Sequence, residues 1–230
     1  MKKQITILSG AGISAESGIS TFRDSDGLWE NHRIEDVATP QAWARNPELV
    51  QEFYNLRRKQ LLEVEPNAAH IAITALQEKF NVQVITQNVD DLHERAGNTN
   101  VLHLHGQLKQ VRSTGHPFKV YDLDSLSRNS GSWELLMGDK CEGGFQLRPH
   151  IVWFGEDVPN LPVAAQIVSE ADAVIIVGTS LNVYPAASLY QYAKPNCPIW
   201  IIDPKANELQ YPETITPINE KAGAAMPRLV

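Results

Sequence analysis

Apolar residues in this chain fall into short runs rather than long amphipathic stripes. Ile5 to Leu8, Val82 to Thr86, Val101 to Leu104, Ala173 to Val177 and Ile199 to Ile202 are almost continuously apolar and rich in β-branched side chains. A strand with one wet face alternates apolar and polar positions, whereas a strand covered on both faces does not. The runs therefore predict buried parallel strands, the first extending over Gln4 to Ser9. Helical periodicity lies between some of them. Pro47 suits the first turn of a helix whose Leu49, Phe53 and Leu56 share one face. Asn67 suits the N-cap of a second helix carrying Ala72, Leu76 and Phe80. The expected fold is α/β, with a doubly wound parallel sheet.

Two stretches break this rhythm. Residues from about 30 to 79 read as helices with no strand. Residues 106 to about 149 read as irregular, with Gly115, Pro117, Gly131, Gly138, Gly143 and Gly144. Both are expected to build a smaller module inserted beside the sheet. The large domain would then take residues 1–30, 80–105 and 150–230, and the module 31–79 and 106–149, in a single catalytic unit.

Composition narrows the function. A formal net charge of −7, with no basic run longer than Arg57-Arg58-Lys59, argues against nucleic-acid binding. No apolar stretch reaches the roughly 18 residues of a membrane span. The N-terminus enters its first strand too early to hold a signal peptide. Cys141 and Cys197 give no disulfide framework. A cytoplasmic monomer is expected.

The chemistry gathers where strands end. The first strand runs into Gly10-Ala11-Gly12-Ile13-Ser14-Ala15-Glu16, the Gly-x-Gly-x-x-Ala of a dinucleotide-binding turn. Gly10 permits the turn, Gly12 lets backbone approach a pyrophosphate, and Ala15 keeps the following helix close. Ser20 to Trp29, with Thr21, Phe22, Arg23, Asp24 and Asp26, is a polar loop suited to a lid over the nucleotide. Gln87-Asn88-Val89-Asp90 follows a strand and offers amides and a carboxylate to a sugar diol or carboxamide. His103 and His105 alternate onto one face, and His105 at the strand tip suits a general base. Gly178-Thr179-Ser180 and Asp203 end two further strands, with chemistry suited to phosphate and ribose. Any one of these strand ends reads equally well as a turn cap; several on one sheet edge do not.

These ordered motifs resemble the sirtuins, NAD-dependent protein-lysine deacylases. The resemblance is carried by Gly10 to Ser14, Gly18-Ile19, Thr21 to Arg23, Gln87 to Asp90, Leu104-His105-Gly106, Arg148 to Glu156 and Gly178 to Leu181. It implies a Rossmann-like domain, a small module, and a cleft between them for NAD and an acyl-lysine peptide. It further implies that the acyl oxygen attacks C1′ of the nicotinamide ribose and releases nicotinamide. His105 would then act as base on a ribose hydroxyl, giving free lysine and O-acyl-ADP-ribose. Asn88 and Asp90 would hold carboxamide and ribose, and Arg23 would cover the cofactor. Val152, Phe154, Gly155 and Glu156 on one side, and Val183 after Ser180 on the other, would sandwich the peptide as an added strand.

Two local features refine that expectation. Tyr54 and Arg57 stand at i and i+3 on the helix opened by Pro47 and point the same way. They match the Tyr-x-x-Arg pair of the sirtuin branch that removes succinyl and malonyl groups, and Ala38 matches that branch's small pocket residue. A guanidinium can hold a terminal carboxylate bidentately, with the phenol as a second donor. Acetyl removal is expected to persist. Most sirtuins also carry two Cys-x-x-Cys pairs that bind structural zinc. Between Gly106 and Arg148 this chain has Cys141 alone, with His116 and Asp139 nearby, which falls short of a closed zinc site. No zinc is expected, and Phe118, Tyr121, Leu123, Leu126, Trp133, Leu135 and Leu136 would supply a local core instead. ADP-ribosyl transfer, plain NAD hydrolysis and non-catalytic NAD binding stay open as alternatives, whereas the Gln87 to Asp90 clamp would crowd a hydride-transfer site.

Overall fold

The computed structural model describes residues 2–20, 28–29, 32–115, 118–126 and 133–230. Strand β1 (Gln4–Ser9) leads into the one-turn helix α1 (Ala11–Ala15). A short hairpin, β2 (Leu28–Trp29) and β3 (His32–Arg33), precedes helices α2 (Ile34–Val37), α3 (Pro40–Arg45), α4 (Pro47–Glu63) and α5 (Ala68–Leu76). Next come β4 (Asn81–Thr86), α6 (Leu92–Arg95), β5 (Val101–His103), β6 (Gly106–Ser113), β7 (Val120–Asp122) and β8 (Leu147–Ile151). The chain closes with α7 (Leu161–Glu170), β9 (Ala173–Val177), β10 (Ile199–Ile202), β11 (Ile215–Ile218) and α8 (Ala222–Ala225).

Six strands form one parallel sheet in the order β11-β10-β9-β1-β4-β5. Both faces are covered, as the apolar runs require. On one, Ile7, Val84, Ile175 and Ile202 pack under α5 and α8 with Ile73, Leu76, Ala225 and Met226. On the other, Leu8, Ile85, Ile176 and Ile201 pack under α7 and the 3-10 turn Ala186–Tyr192. The sheet is doubly wound, and β11 extends the expected set of five strands. Pro217 hides β11 from a propensity reading, yet β11 is an edge strand, where a missing N–H can face away from the ladder.

The two inserted stretches carry more strand than expected. Residues 32–33 pair with 28–29, so the first stretch is not wholly helical. The second is an antiparallel sheet in the order β7-β6-β8, not an irregular segment. Gly115, Gly138, Gly143 and Gly144 lie in the connections, while β6 runs over eight residues with a register shift against β8 between Gly106 and Val111. The module's core also differs from expectation. Val111, Leu123, Leu135 and Leu147 form it with Tyr121, Leu126 and Cys141 around them, but Phe118 and Leu136 are exposed.

Helix α4 joins this module to the rest. Phe53 is buried and Leu49 partly so, but Leu56 is 56% exposed, against the periodicity. The buried arc is rotated toward Gln51, Tyr54, Asn55, Arg57 and Arg58. Polar residues occupy it because the neighbouring backbone needs donors. Gln51 Nε2 donates to Leu147 O at 2.9 Å, Asn55 Nδ2 to Leu135 O at 2.9 Å, and Arg58 Nε to Leu108 O at 2.7 Å. At the head of α5 the expected cap forms: Asn67 accepts from Ala69 N, and His70 Nδ1 accepts from Asn67 N to complete a capping box.

Candidate active site

The sheet reverses its winding between β1 and β9, and ligands of open α/β sheets bind at such a switch point beyond the carboxyl ends of the strands. The glycine turn sits there. Gly10 N donates to Val177 O at 3.1 Å and Gly12 N to Gly178 O at 2.8 Å, locking the end of β1 to the end of β9. A Cβ on Gly12 would lie 2.8 Å from Gly178 Cα, and one on Gly178, which has φ +62°, would lie 2.2 Å from Ile13 N. Gly12 is thus required by the neighbouring backbone of Gly178. Ala11 is exposed, and Ala15 half-buried, on the one-turn helix. Glu16 turns away from the turn, and its Oε1 accepts from Gly223 N at 3.0 Å.

Beside this turn, Asn88 and Asp90 are joined through Ser14. Asn88 Nδ2 donates to Ser14 Oγ at 2.9 Å and to Gly10 O at 3.2 Å, and Ser14 Oγ donates to Asp90 Oδ2 at 2.9 Å. All three are buried. Sequence reasoning assigns no separate role to Ser14; its only signal is its place inside the glycine motif. Burial pushes the Asp90 carboxyl up, against hydrogen bonds from Ser14 and the Leu92 N–H that favour its charged form. Gln87 Nε2 reaches Thr179 Oγ1 at 3.4 Å, bringing a third strand end into the same cluster. Thr179 and Ser180 are buried, and Thr179 Oγ1 also accepts from Leu181 N. Asp203, at the end of β10, is buried and caps its own turn through Lys205 N at 2.9 Å.

His105 lies just past β5, half-buried, with Nδ1 3.0 Å from Gln87 O. A carbonyl can only accept, so the proton sits on Nδ1 and Nε2 keeps its lone pair. Burial holds the imidazole below its ordinary pKa, against the opposing pull of that carbonyl, so the neutral, basic form dominates at neutral pH. His103 braces the same turn: its Nδ1 is 2.9 Å from Asn88 O and its Nε2 is 2.7 Å from Glu94 Oε1. Burial pulls His103 down, but the Glu94 carboxylate and the Asn88 carbonyl outweigh it and the net shift is upward.

A strap from β8 closes the other side. Phe154 N donates to Ala38 O at 3.0 Å and Val152 N to His105 O at 2.9 Å. Val152 is half-buried, Phe154 and Gly155 are exposed, and Val183 is 38% exposed. Glu156 is engaged elsewhere, its carboxylate meeting Arg112, Arg148 and the Trp153 N–H. Ala38 and Tyr54 meet the strap, and Arg57 lies one helical turn on from Tyr54; all three are buried. Tyr54 has no exposed surface and its Oη accepts from Trp153 Nε1 at 3.1 Å. Burial drives the phenol pKa well up, against the indole hydrogen bond and the nearby charges of Arg57 and Arg58, so the hydroxyl keeps its proton.

The expected residues Gly10, Gly12, Gln87, Asn88, Asp90, His105, Gly178 and Thr179 thus meet at the carboxyl edge of the sheet, while Ala38, Tyr54 and Arg57 are buried together in the helical stretch before β4. Thr21, Phe22 and Arg23, the expected lid, and His116 lie outside the described residues. Among the described residues no group of three or more His, Cys, Asp or Glu side chains could hold a metal ion, and no helix is long and apolar enough to cross a membrane.

Comparison with known proteins agrees with this geometry. An NAD-dependent protein deacylase of Helicobacter pylori (strain ATCC 700392 / 26695) is 54% identical over 230 residues, covering 99% of this chain and 96% of the relative. An ADP-ribose complex of a Sir2 homologue variant superposes with a TM-score of 0.85 at 41% identity, covering 99% of this chain and 90% of the other. A Sir2 homologue–NAD complex gives 0.82 at 42% identity, covering 99% and 88%. The sequence model of the Sir2 family matches residues 10–185, from the glycine turn through the strap and beyond β9, and this chain belongs to that family.

Proposed function

We propose that this protein is an NAD-dependent protein-lysine deacylase that removes succinyl and malonyl groups from lysine as well as acetyl. The observation that carries the deacylase reading is the meeting of the glycine turn, the Asn88–Ser14–Asp90 chain and a neutral His105 at one sheet edge. NAD, bound as a consumed co-substrate, supplies an electrophilic ribose carbon once nicotinamide leaves. Gly10, Gly12 and the Gly178 to Ser180 segment would hold its phosphates, and Asp203 its distal ribose. Asn88 and Asp90 would orient the nicotinamide ribose and carboxamide, with Ser14 fixing their mutual spacing. Once the acyl oxygen has replaced nicotinamide at C1′, His105 Nε2 would take a proton from a ribose hydroxyl. That oxygen would attack the acyl carbon, the bond from this carbon to the lysine nitrogen would break, and the amine would leave with a proton. The peptide would lie between the Val152 to Gly155 strap and the loop bearing Val183.

The acyl preference follows from the pocket chemistry. Tyr54 and Arg57 are buried on α4, and Ala38 belongs to the same core cluster as Tyr54; the small Ala38 side chain would leave room for a longer acyl group. A buried guanidinium next to a protonated phenol favours a terminal carboxylate over a plain alkyl end. The test compares kcat/KM for one peptide bearing acetyl-, succinyl- or malonyl-lysine, in the wild type and in Arg57→Met. The succinyl/acetyl ratio should fall about tenfold or more in the variant, the worth of one charged hydrogen bond; an unchanged ratio sinks the acyl reading. Nicotinamide release with and without acyl-peptide tests the deacylase itself. Release that ignores the peptide would mean NAD hydrolysis instead.

A further inference from the structure

We propose that Trp153 is a positioning residue for acyl selection, fixing the Tyr54 hydroxyl as a donor toward the acyl carboxylate; this rests on the acyl reading above. An indole N–H can only donate, so the bond from Trp153 Nε1 to Tyr54 Oη, 3.1 Å long, occupies a lone pair on the phenol. The phenol's own proton must then point elsewhere. Tyr54 is fully buried, and among the described residues no side-chain or backbone acceptor takes that proton. A buried donor left without a partner is costly until a ligand supplies an acceptor. A carboxylate is a strong acceptor; the methyl end of an acetyl group is none.

Trp153 is itself held on three sides. Its backbone N–H donates to Glu156 Oε2 at 2.9 Å, and the guanidinium of Arg148 lies 3.7 Å from its ring centroid. The same Arg148 is paired with Glu156 at 2.6 Å, and Trp43 packs against the indole at 5.8 Å between centroids. The strap alternates, with Val152 and Phe154 more open and Trp153 turned inward, 3% exposed. One short segment thus faces the expected peptide groove with two residues and fixes the acyl-pocket hydroxyl with the residue between them.

The test is a double-mutant cycle of Trp153→Phe and Tyr54→Phe, reading kcat and KM for matched succinyl- and acetyl-lysine peptides. Trp153→Phe keeps an aromatic ring under Arg148 and removes the N–H. The succinyl/acetyl ratio of kcat/KM should drop about fivefold or more, mainly through KM for the succinyl peptide, as expected for one misdirected hydrogen bond. In a Tyr54→Phe background the second change should produce little further drop, because both act through one hydroxyl. Equal losses on both peptides, or additive losses in the cycle, would overturn the assignment and leave Trp153 as a packing residue. If Trp153→Phe does not fold, benzothienylalanine at position 153 keeps the indole shape without the N–H and carries the same expectations. Arg57→Met separates the two levels. A ratio lowered by Arg57→Met but not by the change at 153 overturns only the Trp153 assignment, whereas a ratio moved by neither overturns the acyl reading with it.

Discussion

His105 and His70 are both held neutral by burial, and they predict different responses to acid. As the proposed base, His105 Nε2 would act only while unprotonated, and burial holds its pKa below the ordinary histidine value of 6.5. Deacylation should therefore fall with a single ionisation that lies below the ordinary histidine value, which a kcat/KM–pH profile would show; His105→Ala should remove the activity and the ionisation together. His70 governs stability instead. Its pKa is pushed down to about 4 by burial, while in the unfolded chain it protonates near 6.5. Its contribution is complete above pH 6.5 and is lost as pH falls toward 4, about 3 kcal/mol at ~1.4 kcal/mol per unit. His93, 4.8 Å away between ring centroids and also held down by burial, acts in the same sense. His70→Gln keeps an acceptor for the Asn67 N–H and removes the titration. Urea midpoints between pH 7 and 4.5 should fall less steeply in that variant.

At the level of the element, the glycine turn is readable because Gly-x-Gly-x-x-Ala after an apolar run has a steric meaning. Its partner is not. The close approach is between Gly12 and Gly178, far apart in sequence and brought together only by the β1–β9 pairing. Gly12→Ala would place a methyl against the Gly178 backbone, an overpacking that costs about 1–3 kcal/mol where neither side can yield. ADP-ribose titration of that variant should show affinity lowered by about tenfold or more, roughly 1.4 kcal/mol, along with a lower melting temperature. Helix α4 defeats periodicity for a related reason. Periodicity counts Leu56 and discounts Gln51, Asn55 and Arg58, but the carbonyls of Leu147, Leu135 and Leu108 demand donors on the face it turns inward. The strand-end residues Gln87, Asn88, Asp90 and His105 are legible because parallel strands present their ends along one edge, whereas Ser14, between two of them, carries no pattern of its own.

Across the whole molecule, the small module is held without the cysteine pairs common in its family. Asn55 supplies part of the fastening. Its Nδ2 donates to Leu135 O, and its Oδ1 accepts from Leu135 N and from Arg58 Nη1 at 2.8 Å. Asn55→Ala would leave both backbone groups of Leu135 unsatisfied, a loss of about 2 kcal/mol or more, measurable as a lower urea midpoint. A strong chelator should leave the melting temperature unchanged, and a drop would show that a metal holds the module after all. The same helix turn that carries Asn55 and Arg58 to the module also carries Tyr54 and Arg57 to the acyl pocket proposed above. A shift of the helix itself therefore moves both sets of residues together. A lineage that shifts the register of this helix to change its acyl diet would also unfasten the module, so changes in diet should come by side-chain replacement at Tyr54, Arg57 or Trp153, with helix length and phase left intact.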